Sequence, residues 1–179
     1  MSDYLKYVMN NGVIAGLINL AAQIILYFLG MNPLGTSSWL LAIIIIMLIV
    51  KGVKNWRDIN GEGYITYGEA FRTGAALSFF YASFAAVMFY LFMISVGTDI
   101  MQMQIDEVMK GMEQAEKFMG AEMTDQIITE MKKMSEGRMC WGDFQNKLLG
   151  GVIISLIVAG VLKKNKPFFE EPQNPETSN

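Results

Sequence analysis

Residues 40–50, Leu40-Leu41-Ala42-Ile43-Ile44-Ile45-Ile46-Met47-Leu48-Ile49-Val50, form eleven consecutive apolar side chains. A helix built on such a run has no polar face to turn toward water, so protein or lipid must surround it. The hydrocarbon core of a bilayer is about 30 Å thick and takes roughly 20 mainly apolar residues to cross. Four stretches of the chain meet that length, at about 8–30, 37–53, 70–96 and 144–162. The first closes at Gly30-Met31-Asn32-Pro33-Leu34-Gly35. The third is aromatic, with Phe79, Phe80, Tyr81, Phe84, Phe89, Tyr90 and Phe92. The fourth is the weakest, because it holds Lys147 and the pair Gly150-Gly151. Only 17% of the 179 residues are charged and 53% are hydrophobic, against about 25% charged in an ordinary soluble domain. That leaves too little polar surface to cover four such helices in water. Lys6 ahead of the first stretch resembles the charged start of a signal peptide. Its exit has no small-residue cleavage pattern, however, and Asn10, Asn11, Asn19 and Gln23 interrupt the run, so it is retained as a helix. The expected fold class is all-α, an integral membrane bundle of four transmembrane helices.

Lys and Arg set the orientation. Lys6 precedes the first span, Lys51, Lys54 and Arg57 follow the second, and Arg72 opens the third. Lys163, Lys164 and Lys166 follow the fourth, whereas the turn between spans one and two has no basic residue. Both termini and the 54–69 loop are therefore expected in the cytoplasm, with residues 97–142 outside. That outer stretch still carries Lys110, Lys117, Lys132, Lys133 and Arg138.

Gly12, Gly16, Asn19 and Gln23 fall on one face of the first helix. Gly74, Ser78 and Ala82 repeat the pattern in the third, and Gly151, Ser155 and Ala159 in the fourth. Small residues let backbones approach, and amides within hydrocarbon find partners across a helix interface. These faces read as packing seams, while the aliphatic second span is expected to face lipid. The alternative for Asn19 and Gln23 is the lining of a solute path. Charge inside the spans is nearly absent: Glu69 and Arg72 stand at the entrance of span three, and Lys51 and Lys147 are placed to snorkel toward the interfaces. With no acidic residue at mid-span, a proton-coupled transporter and an Asp/Glu-ringed cation pore are disfavoured.

The chain has no histidine and one cysteine, Cys140. A disulfide framework, a Cys/His zinc cluster, a Ser–His or Cys–His nucleophile pair and imidazole acid–base chemistry are thereby excluded. No catalytic, cofactor-binding or metal-ligating residue is assigned, and an enzyme is not expected. A net charge of −3 gives no footprint for nucleic acid.

Ahead of span three, Thr66-x-x-Glu69 has the form of a capping box, in which hydroxyl and carboxylate each accept from the other residue's amide. Ile65 and Ala70 stand where a hydrophobic staple would. Gly63-Tyr64-Ile65-Thr66-Tyr67-Gly68-Glu69-Ala70-Phe71-Arg72-Thr73-Gly74 resembles the signature of a family of small bacterial membrane proteins, domain of unknown function 4199. Lys54-Asn55-Trp56-Arg57-Asp58 is similar to the family's basic stretch after its second helix. Tyr7 with Gly12-Val13-Ile14-Ala15-Gly16 is similar to its first-helix opening. The resemblance covers about residues 4–165. It implies a four-helix protein of the bacterial inner membrane and supplies no site residue.

Residues 97–142 form the one sizeable polar segment. Met101, Ile105, Val108, Met112, Ala115 and Met119 recur at helical spacing, which predicts an amphipathic helix from Asp99 to Met119, ended by Gly120. A second helix is predicted from Thr124 or Asp125, with Ile127, Ile128, Met131 and Met134 on one face, stopping near Gly137. Together they read as an extramembrane helical hairpin over about 99–136. Nine of the fifteen methionines lie in this segment. Met101-x-Met103 and Met109-x-x-Met112 have spacings that would offer thioethers to Cu(I), whereas Met is also a common filler of irregular apolar space. Trp141-Gly142-Asp143 echoes Tyr67-Gly68-Glu69 and reads as a shared helix-entry device. The tail, residues 165–179, holds Pro167, Pro172 and Pro175 among acidic residues, and is expected to be disordered and cytoplasmic.

The leading functional expectation is a non-enzymatic scaffold or accessory subunit. Its partners are the lipid bilayer and a membrane or periplasmic protein engaged through residues 99–136, with a homo-oligomer allowed. A transporter or channel for a neutral or lipid-like solute comes second, and periplasmic copper handling through the Met-rich hairpin third.

Overall fold

The computed structural model describes residues 2–166, and the side chains among them except at 113–119 and 121. From residue 167 onward the tail expected to be disordered lies outside the described residues. The described chain is helical, with a single antiparallel bridge between Ile65 and Lys164 and no strand. Its helices are α1 (Asp3–Phe28), α2 (Trp39–Asn60, entered through a 3-10 turn at Thr36–Ser38), α3 (Tyr67–Met119), α4 (Ala121–Lys132) and α5 (Glu136–Leu162). Four of them, α1, α2 with its entry turn, α3 and α5, are long and apolar enough to cross a membrane.

The glycine seams set how the long helices pack. A Cβ added at Gly12 would lie 2.6 Å from Phe80 Cβ, and one at Gly16 would lie 2.8 Å from Phe84 Cδ1, so α1 lies directly on α3. Helices α3 and α5 interlock reciprocally and antiparallel. Gly74 faces Ser155, and Gly151 faces Ser78, with added Cβ atoms 2.6 and 2.5 Å from the two Oγ atoms. Each hydroxyl donates back to a carbonyl one turn earlier, Ser78 to Gly74 at 2.8 Å and Ser155 to Gly151 at 2.7 Å. The close approach thus leaves neither hydroxyl unsatisfied. Helix α2 packs Ile45, Ile49 and Val53 into a core with Ala70, Ala82, Val158 and Ala159. It does not face lipid alone, because its buried side alternates with an exposed side of Ile43, Ile46, Met47 and Val50.

The capping box forms as its spacing predicts. The Thr66 amide and hydroxyl donate to the Glu69 carboxylate at 3.1 and 2.8 Å, and the Glu69 amide donates back to Thr66 Oγ1 at 3.3 Å. Ile65 and Ala70 are both buried in the core. Paired Ile65–Lys164 backbone bonds, each 2.9 Å, fasten this entry to the end of α5.

Three boundaries differ from the sequence reading. Helix α3 does not stop near 96 but continues unbroken to Met119. No proline interrupts it, and single glycines such as Gly97 and Gly111 cost only about 1 kcal/mol each within a helix. Gly120, at φ +83, ends it as expected, and α4 begins at once at Ala121, ahead of Thr124. Helix α5 begins at Glu136, where Ser135 accepts from the Arg138 amide. Gly137 therefore lies inside a helix, and Trp141-Gly142-Asp143 is helix interior, not an entry device.

Candidate functional site: a cavity with an internal ion pair

The early start of α5 draws Asp143 and Lys147 into the body of the helix. Four residues apart, they share a face one turn apart, and the Lys147 ammonium pairs with the Asp143 carboxylate. Their side chains are only 11% (Lys147) and 14% (Asp143) exposed. A 27-residue helix is about 40 Å long. Centred on a hydrocarbon core of about 30 Å, it would place Lys147 about 3 Å and Asp143 about 9 Å from the midplane. An isolated charge at such depth is expensive, and pairing is the usual remedy. The sequence reading missed this pair because a hydropathy run that begins at 144 leaves Asp143 out. The signal present was the i,i+4 spacing itself.

The pair opens onto a cavity of about 870 Å³. From α2 come Leu41, Ala42 and Ile45; from α3 Tyr81, Met101, Ile105 and Val108; from α4 Ile127 and Met131. Met134, in the α4–α5 connection, continues that wall. Helix α5 supplies the polar side, with Arg138, Asp143, Gln145, Asn146 and Lys147, together with Gly142, Gly150 and Gly151. A Cβ added at Gly142 or Gly150 would meet nothing within 4 Å, so these two glycines front open space. The wall from α2 with its entry turn, α3 and α4 is thus mostly methionine and aliphatic carbon, with Ser38, Tyr81 and Gln104 its polar exceptions, while α5 carries the charge and most of the amides.

Behind it, the Tyr81 hydroxyl donates to Asn19 Oδ1 at 2.8 Å, and Asn19 Nδ2 donates to Gln23 Oε1 at 2.9 Å. Asn19 and Gln23 are fully buried, and neither lines the cavity. Asn19 thus bonds across the helix interface, as the packing reading of the seam expects, whereas Gln23 bonds only within α1 and its Nε2 has no partner among the described residues. At the α1–α2 turn, Asn32 Nδ2 donates to Gln104 Oε1 at 2.7 Å and to Glu107 Oε2 at 2.8 Å, while the Thr36 amide donates to Glu107 Oε1. These bonds clamp the turn to α3 beside Leu34 and Ser38, which complete the cavity rim.

Glu69 lies outside the site, exposed at the entry of α3. Hydrogen bonds from the Thr66 amide and hydroxyl hold its carboxyl below the ordinary value against the opposing effect of burial, with the Arg72 charge adding the least. The methionines expected as copper ligands scatter. Met101 lines the cavity with Met131, Met134 and Met139, Met112 is buried and Met109 is exposed. Met103 is half-buried and does not line the cavity, and Met119 of the predicted amphipathic stripe falls outside the described side chains. Among the described residues no three His, Cys, Asp or Glu side chains come together as a metal site.

No curated protein and no solved structure matches the chain significantly. The sequence model of one family, described as Protein of unknown function (DUF4199), matches residues 10–164. The capped entry at Thr66–Glu69, the glycine seams and the cavity strip of α5 all lie within that match, and the chain belongs to this family.

Proposed function

We propose that the protein is a non-enzymatic, multi-pass protein of the bacterial inner membrane, with both termini cytoplasmic, that holds a lipid-like solute between α2, α3, α4 and α5. The observation that carries this reading is the cavity of about 870 Å³, within the range of about 300–1,000 Å³ usual for small-molecule sites. Apolar carbon forms most of its wall, and α5 supplies its charged groups and most of its amides. Among the described residues the cavity offers no nucleophile–base pair, so binding or passage is favoured over chemistry. An α3 of 53 residues is about 80 Å long, far more than a bilayer core of about 30 Å, which favours an extramembrane position for its outer part and α4.

Native mass spectrometry after mild solubilisation tests this reading. Wild-type protein is expected to carry a co-purified amphiphile, and Gly150→Phe, which places a ring in the open space at that position, is expected to lose it. Equal recovery from both proteins, or none from wild type, would remove the solute reading.

The accessory-subunit reading stands second, favoured by the exposed Met109 and Met123 on the outer helices. Crosslinking in the native host tests it: a stoichiometric partner captured through residues 99–136 would place it first, and self-crosslinks alone would indicate a homo-oligomer. Copper handling stands third, supported by the four cavity methionines. A Cu(I) titration in which Met101→Leu leaves affinity unchanged would remove it.

A further inference from the structure

We infer that the cavity selects amphiphiles with an anionic headgroup, a carboxylate or a phosphate, held at Arg138 with the apolar tail running down α5. This inference rests on the solute reading above and adds a charge preference to it. Among the described residues, three charged side chains line the cavity: Arg138, Asp143 and Lys147. Asp143 and Lys147 neutralise one another through their ion pair. Arg138 has no ion-pair partner among the described residues, so the described lining carries one uncompensated positive charge. The Glu107 carboxylate of α3 is engaged by Asn32 and Thr36 and does not line the cavity.

Position along the helix gives the site its polarity. Arg138 lies two residues into α5, near the end at which α3 and α5 meet through Gly97 and Glu136. It is solvent-exposed, and its planar fork matches carboxylate and phosphate oxygens in a bidentate manner. From Arg138 the lining descends past Gly142 and Gly150 to Ile154, sixteen residues further on and about 24 Å along the helix. That length suits a single extended acyl chain, and the two glycines leave the trough unobstructed. Gln145 and Asn146 offer amides partway down for ester or hydroxyl groups. An uncharged or zwitterionic headgroup gains no net attraction from such a lining.

Trp141 lines the cavity and is 58% exposed, so its fluorescence reports on occupancy. The full chain in a non-ionic maltoside micelle at mildly alkaline pH is titrated with dibromostearic acid and with dibromostearyl alcohol, and Trp141→Phe identifies the cavity component of the quenching. The acid is expected to quench at a concentration about tenfold lower than the alcohol, a modest return for one unit charge in a partly shielded site. Arg138→Gln should bring the two probes to within about twofold of each other. The double variant Asp143→Asn/Lys147→Gln keeps the net charge and should keep the preference, which separates charge selection from a general disturbance of α5.

Equal quenching by acid and alcohol in wild type would overturn the inference while leaving the cavity a solute site. Absence of Trp141-specific quenching by either probe would overturn the solute reading itself. Dibrominated phosphatidylglycerol and phosphatidylcholine, in parallel, separate the two sources of the anion. A preference for phosphatidylglycerol points to a phospholipid phosphate, and binding of the fatty acid alone points to a carboxylate. Loss of the acid's advantage in the double variant would place the selecting charge at Lys147 and refute the role of Arg138.

Discussion

Lys147→Met is the most informative single perturbation of this molecule. The substitution keeps an unbranched stem of similar reach and deletes the ammonium, leaving the Asp143 carboxylate, 14% exposed, with no cation one turn away. Removing one member of a buried pair costs about 3–5 kcal/mol. Because this pair borders an open cavity, where water can reach part of the charge, the expected cost is at the lower end, about 3 kcal/mol, or roughly a hundredfold in the folding equilibrium. Asp143→Asn strands the Lys147 ammonium instead. Near the middle of α5 the lysine stem is too short to carry that charge clear of the core, so a cost of about 2–3 kcal/mol follows. The double variant Asp143→Asn/Lys147→Met removes both charges and should lie within about 1 kcal/mol of wild type. The implied coupling is about 4–7 kcal/mol, a non-additivity far above that of independent sites. Reversible unfolding in mixed maltoside and dodecyl sulfate micelles, followed by helical circular dichroism, measures all four corners of the cycle. A double variant as unstable as the sum of the singles would refute the reasoning. The two charges would then be independently hydrated, and the polar strip of α5 would not lie in a low-dielectric setting.

Further outcomes follow from the packing and the cap. Gly12→Ala places a Cβ 2.6 Å from Phe80 Cβ and 3.0 Å from the Tyr81 backbone nitrogen, so α1 must move off α3. A loss of about 1–3 kcal/mol is expected in the same unfolding assay. Gly150→Ala, whose Cβ meets nothing within 4 Å, should instead be neutral or stabilising by up to about 1 kcal/mol. Tyr81→Phe removes the 2.8 Å donor to Asn19 and is expected to cost about 1–2 kcal/mol, as interhelical hydrogen bonds in membranes do. Near Thr66, the Glu69 carboxyl is held below its ordinary value of 4.5, so its stabilising effect is complete above that value. The effect fades as pH falls through the lower folded-state value. Amide exchange at the entry of α3 should therefore quicken on acidification in wild type, and Glu69→Gln should flatten that dependence.

The architecture was largely legible because its determinants are local. An uninterrupted run such as Leu40–Val50 admits few alternatives, the Thr66–Glu69 box is a four-residue pattern, and the Gly12–Gly16 seam shows in its spacing. The candidate site was not legible, for two physical reasons. Hydropathy places the edge of a helix at the first charge it meets, and Asp143 lies directly before the run that begins at Phe144. The helix runs through it because the Lys147 ammonium one turn later neutralises the carboxylate. The sides of the cavity also come from parts distant in the chain: Met101 on α3, Met131 on α4 and Gly150 on α5 share one space only after folding. For the same reason the Met-rich face of α4, legible as amphipathic, gave no hint that Ile127 and Met131 turn inward.

The unbroken length of α3 has a mechanical consequence. Fifty-three residues without a proline make a rod of about 80 Å, held near one end by Gly12 and Gly74 and clamped further along by Glu107 to the turn between α1 and α2. With no hinge between these points, a push on the far tip cannot be absorbed locally and must reappear as tilt. Over an arm of about 40 Å, a tilt of about 5° displaces the rod by about 3–4 Å, comparable to the width of an acyl chain. The wall formed by Met101, Ile105 and Val108 lies on that arm beside Glu107, so any tilt that widens the space next to α5 must either carry the turn between α1 and α2 with it or break the bonds from Asn32 and Thr36.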